Sequence, residues 1–153
     1  MGLERFDFWT RWLSTALVSV ATTGVLLAIF DHRAVPFLPE MVCEVFWGAP
    51  EMPAEVVAYH RWLYGIIGAL FVAWALALRM VVVNAFATRQ RWAWVCVGLS
   101  VGAWYTIDTA ASIVFGVWPN LPFNTVALLA LGAPLVATRG AFRAPPQRVE
   151  GSS

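Results

Sequence analysis

Apolar and polar positions along the chain alternate in long blocks, far longer than the three-to-four-residue rhythm of a soluble amphipathic helix. No charge falls between Arg11 and Asp31, and those 19 residues rise ~28 Å as a helix, close to a ~30 Å hydrocarbon core. A second uncharged run covers residues 62–78, and residues 80–87 extend it past Arg79, whose aliphatic stem lets its head reach for the headgroups. Between Arg91 and Arg139 lie 47 residues with a single charge, Asp108. Trp118-Pro119-Asn120-Leu121-Pro122 interrupts this run, and two prolines so close together mark a turn between two helices. The pattern predicts an all-α integral membrane four-helix bundle, with spans at about 12–30, 62–84, 92–117 and 121–138.

The polar segments complete this plan. The first span exceeds the length of a signal-peptide core and runs into Asp31-His32-Arg33 rather than a small-residue cleavage site, so it is expected to be retained. In the loop of residues 31–59, Pro39 is placed to open a short interfacial helix through Trp47, with Met41, Val45 and Phe46 toward lipid and Glu40 and Glu44 toward water. Pro53 is placed as the first residue of the next helix. Residues 143–153, with Pro145-Pro146 and a small polar finish, read as a disordered tail.

Composition narrows the class. Of 153 residues, 60% are hydrophobic and 12% charged, with a mean hydropathy of +0.70, which excludes an ordinary soluble domain. All ten basic residues are arginines and the net charge is +1, too little for a face that tracks a nucleic-acid backbone. Cys43 and Cys96 are too few for a disulfide scaffold and lack metal-ligand spacing. Eight arginines flank the ends and the 79–91 connection, against Arg33 and Arg61 on the opposite side. By the positive-inside rule both termini are expected in the cytoplasm, in a bacterial inner membrane. Trp9, Trp12, Trp92 and Trp94 fall at the inner boundary and Trp47, Trp62 and Trp118 at the outer one, as interfacial rings do.

Candidate chemistry gathers around Asp108. An acid inside a span is costly, ~2.5–3.5 kcal/mol on insertion scales, and normally turns inward. Tyr105, Asp108, Thr109, Ser112 and Gly116 follow helical spacing and form one polar stripe. Asp31, His32, Arg33, Tyr59, His60, Arg61, Tyr64, Asn120 and Asn124 lie toward the same outer half, whereas the inner half is apolar. Arg61 is long enough to reach down to Asp108, which makes Arg61–Asp108 the expected pair. Asp108, Arg61 and His60 are therefore the candidate catalytic groups. Tyr64, Tyr105, Thr109, Ser112, Asn124 and Trp104 are the candidate binding groups around an outward-facing pocket. Such an aromatic and polar lining suits a lipid-soluble molecule with a polar head: a quinone, an isoprenoid or a lipid fragment.

Plainer readings stand beside these. Asp108 with an arginine also fits an internal polar staple between helices. His32 and His60 fit water-facing interfacial residues. Thr15, Ser19, Thr22 and Thr23 read as a helix-contact face, and Gly65, Ala69, Ala73 and Ala77 as a small-residue packing seam. No metal or cofactor is expected, since HExxH, GxSxG, P-loop and dinucleotide fingerprints do not occur and two histidines alone are poor support for haem.

His60-Arg61-Trp62-Leu63-Tyr64-Gly65-Ile66-Ile67-Gly68-Ala69, followed by two apolar spans, loosely resembles the DoxX-like small four-helix bacterial membrane proteins over about half the chain. That resemblance implies an accessory or quinone-associated role beside a membrane oxidoreductase. The expected partners are the lipid bilayer, a lipid-soluble small molecule, and a membrane-protein partner or second copy of the chain. A non-catalytic accessory or assembly subunit is the alternative to the ligand pocket.

Overall fold

The computed structural model describes residues 2–31 and 38–142, and these are mostly helical with no strand among them. Five α-helices follow in order: α1 Leu3–Phe30, α2 Leu38–Trp47, α3 Ala54–Val81, α4 Arg91–Val114 and α5 Asn120–Thr138. A π-helical turn, Val82–Phe86, continues α3, and a 3-10 turn, Arg139–Phe142, continues α5. The helices α1 and α3 begin well before the predicted spans, because their first turns extend the apolar runs as amphipathic ends. Pro53 is the N-cap of α3, one residue ahead of its predicted place. His32 and residues 143–153 lie outside the described residues.

Among the described residues three helical segments are long and apolar enough to cross a membrane: Leu3–Phe30, Ala54–Phe86 and Asn120–Phe142. With 24 residues α4 reaches ~36 Å, a comparable length, but its sequence is more polar. The long helices alternate in direction. Arg61 at the start of α3 meets Asp31 at the end of α1, and Phe6 of α1 stacks on Phe86 at the far end of the α3 segment, 6.0 Å between centroids. The first helix packs most extensively on α3 and also touches α5, α4 pairs with α5, and α3 and α4 barely meet.

The seam between α1 and α3 differs from the predicted one. Gly24 and Gly68 oppose each other there, and a Cβ on Gly68 would land on the Gly24 carbonyl and the Ala28 backbone. Gly65 has open space around it, and Ala69, Ala73 and Ala77 are exposed. The four-residue series thus faces outward, one helical position away from the series that packs. Glycine at the crossing removes the side chains that would hold two backbones apart.

The apolar core sits toward the end that carries the termini. Phe6, Leu13, Leu17, Leu78, Val82 and Phe86 meet Ala93, Val97, Leu131 and Phe142 there. Phe6, Phe86 and Phe142 form an aromatic knot, and the Arg89 guanidinium lies 4.7 Å over the Phe6 ring. Two indoles tie α5 into place. Pro134 lacks the N–H that would serve the Ala130 carbonyl, and Trp12 Nε1 of α1 donates to that carbonyl at 2.9 Å. Arg139 N–H turns to the Val136 carbonyl, and Trp94 Nε1 of α4 donates to Leu135 O at 3.0 Å.

Toward the Asp31 end buried polar residues replace the apolar core: Asp31, Ser112 and Asn124. Gly116, assigned above to the polar stripe, lies past the end of α4 at φ 71°. Val117 N–H bonds to Ser112 O and Gly116 N–H to Ile113 O, which makes this the Schellman stop that turns the chain into α5.

Candidate functional site

Because α4 barely meets α3, the helices leave a groove between them. It has a volume of about 1030 Å³ and is walled by α1, α3, α4 and α5. One wall is α1 from Phe8 to Leu27, including Thr15, Ser19 and Thr23. These hydroxyls, expected to face a neighbouring helix, line the groove instead. Ser19 and Thr23 donate to carbonyls one turn back, at 3.2 and 3.0 Å, which satisfies them without a partner helix. Tyr64, Ile67, Phe71 and Trp74 of α3 form a second wall, and α5 from Asn120 to Leu131 a third. Trp104 and Asp108 of α4 fall on one face, one turn apart. Across the floor Trp74 and Trp104 meet with 6.1 Å between ring centroids. Val126 on the rim is 67% exposed, so the groove opens sideways, out of the bundle, rather than only at its end.

Polar groups cluster where α4 meets the start of α5. Asn120 donates both amide hydrogens, to Asp108 Oδ1 at 3.0 Å and to Ser112 Oγ at 2.9 Å. Ser112 Oγ in turn donates to the Asp108 backbone carbonyl at 2.8 Å. One turn further along α5, buried Asn124 donates to Thr109 Oγ1 at 3.3 Å. The turn at Trp118–Pro119 brings these residues together, because Gly116 stops α4 and α5 restarts at once with Asn120. Asp108 is thereby fixed by its sequential neighbour helix, with a short loop closing the contact.

The expected Arg61–Asp108 pair is replaced by another. Arg61 Nε lies 3.2 Å from Asp31 Oδ2, with the Arg61 side chain 56% exposed and that of Asp31 6%. The substitution follows from topology: α3 packs on α1, so the first acid within reach of Arg61 is the C-cap of α1, while α4 stands off. His60 stacks beside Tyr64 at 4.5 Å, on the same α3 face, and neither Arg61 nor His60 lines the groove. Tyr105 is also outside its lining, and Thr109 and Ser112 support Asn124 and Asn120 from behind. Tyr64, Trp104, Asp108 and Asn124 do line it.

Two groove features escaped the sequence. Asn120 organises Asp108, although its place beside two prolines marks it first as a turn residue. Trp74 joins Trp104 across two helices, and no spacing within one helix signals such a pair. Among the described residues no group of His, Cys, Asp and Glu is arranged to hold a metal ion. No family model, curated protein or solved structure matches this chain.

Proposed function

We propose that this is a four-span membrane protein whose lateral groove takes up a lipid-soluble small molecule with a polar head. In this reading α4 is the fourth span, α2 lies on the outer surface, and both termini face the cytoplasm of a bacterial cell. The matching length of α4 and its antiparallel pairing with α5 support the fourth crossing. Exposed Met41, Val45 and Phe46 on α2, with Cys43 buried beneath, suit a helix lying flat on the bundle and the headgroups.

The observation that carries the proposal is the groove's two-part lining. Most of its length is apolar and aromatic, the Ser19 and Thr23 hydroxyls on it are spent on their own helix, and its network of side-chain hydrogen bonds lies at the Asp108–Asn120–Asn124 end. That distribution suits a molecule with one polar end and a chain, entering from the lipid. Native mass spectrometry of protein gently extracted from membranes tests it. A bound small-molecule mass is expected on the natural protein and is expected to vanish in Ala127→Trp, which fills the groove from α5. Equal retention by that variant would sink the proposal.

A second reading, an accessory subunit of a larger membrane complex, is favoured by the outward-facing Gly65, Ala69, Ala73 and Ala77 on α3. Small residues let another membrane helix approach closely. The DoxX-like resemblance suggests the same, an accessory or quinone-associated role beside an oxidoreductase. Disulfide trapping from Ala73→Cys separates the readings: a cross-linked partner supports docking, and an uncrosslinked chain in native membranes removes it.

A further inference from the structure

The groove's polar end is lopsided in both hydrogen bonding and charge. Asn120 has spent its two donors and Ser112 its one. Asp108 receives a single side-chain hydrogen bond, on Oδ1, and among the described residues Oδ2 has no partner. A carboxylate that is half-buried and singly bonded invites a further donor. The cation expected beside it does not supply one, because Arg61 is held by Asp31 and stays outside the groove. Among the described residues Arg11 is the one arginine lining the groove, and it lies beside Trp12, at the level of Ala130. Ten residues of α5 separate Ala130 from Asn120, ~15 Å along the helix. The groove therefore carries negative charge at one end and positive charge at the other.

Aromatic faces complete the picture. Trp104 lies one turn from Asp108 on the same side of α4, paired with Trp74, and Tyr64, Phe71 and Phe123 contribute to the same walls. Aromatic faces beside a lone carboxylate are the surroundings that attract an ammonium group, through ring quadrupoles and direct charge together. An anionic head would instead meet like charge at Asp108.

We infer that the groove selects cationic amphiphiles, with an ammonium head against Asp108 and Trp104 and the chain running toward Trp12. The inference rests on the groove-binding reading and adds the sign of the head. The Arg11 end disfavours the reversed orientation, so charge sets polarity as well as selectivity.

The test uses the full chain in nanodiscs of zwitterionic phospholipid. Three chain-brominated probes of equal chain length carry a trimethylammonium, a hydroxyl or a carboxylate head, and bromine quenches tryptophan on contact. The ammonium probe is expected to quench saturably at about tenfold lower concentration than the other two. Asp108→Asn is expected to erase that difference while the hydroxyl probe binds as before. Equal quenching by all three heads overturns the charge inference and leaves groove binding standing. Preference for the carboxylate also overturns it, and assigns the head to Arg11. No saturable quenching by any probe defeats both readings. Should Asp108→Asn lose its helical circular dichroism, the three-probe series on the unaltered chain still decides.

Discussion

Gly24 and Gly68 face one another so closely that a single methyl group has no room, while Gly65, three residues away, meets nothing within 4 Å. Two alanine substitutions on one helix should therefore act in opposite directions. Gly68→Ala should destabilise by about 1–3 kcal/mol through overpacking. Gly65→Ala should be neutral or stabilise by up to ~1 kcal/mol, since it only removes glycine's helix penalty. Thermal unfolding in detergent checks both. Cys43 offers a second residue-level test. Its thiol is pushed above the ordinary range, first by burial and then by the Glu40 carboxylate. Thiolate is the reactive form, so alkylation of Cys43 should lag behind a free cysteine near neutral pH and rise only in more alkaline solution. Glu40→Gln should shift that profile to lower pH. The linked stability has the matching sign: it is fully present below the free-thiol pKa and is lost as pH climbs through the raised folded value.

At the scale of elements, α5 is held by donors from other helices at the two carbonyls its own backbone abandons. Trp12 serves Ala130, orphaned by Pro134, and Trp94 serves Leu135, orphaned by the tightening at Arg139. Trp12→Phe should cost about 0.6–1.7 kcal/mol, the range of hydrogen bonds inside membrane proteins. In a Pro134→Ala background the loss should shrink, because that substitution restores a backbone N–H for the Ala130 carbonyl. A double-mutant cycle measured by unfolding reads the coupling directly. The helices themselves were legible in the chain: apolar run lengths, the Pro119–Pro122 turn and Pro39 located each one. What escaped was rotation and partnership. A helix with apolar residues all round carries no moment that says which face packs, so Gly65–Ala77 was an equally good seam on paper as Gly24 against Gly68. Trp12 and Trp94 read as interfacial anchors for the same reason, and their carbonyl partners are set within another helix, by Pro134 for Trp12 and by the tightening at Arg139 for Trp94.

At the scale of the whole molecule, position along the helices was readable and pairing was not. Asp108, Asn120 and Asn124 do share one end of the fold, as their distances from the helix ends require. The guanidinium assigned to Asp108 went to Asp31, because helix order around the bundle, not depth, decides who meets whom. Two of α1's contacts lie at different heights: its closest approach to α3 at Gly24 and its hydrogen bond to α5 at Trp12. The first helix is thus the common partition between a tight seam and an open cleft, tethered near its start and braced near its end. A wedge at the seam moves apart two helices that both wall the cleft. Gly68→Ala should therefore reset the cleft's width and change quenching by chain-brominated probes although residue 68 does not line it, and aperture becomes a property set by a contact outside it.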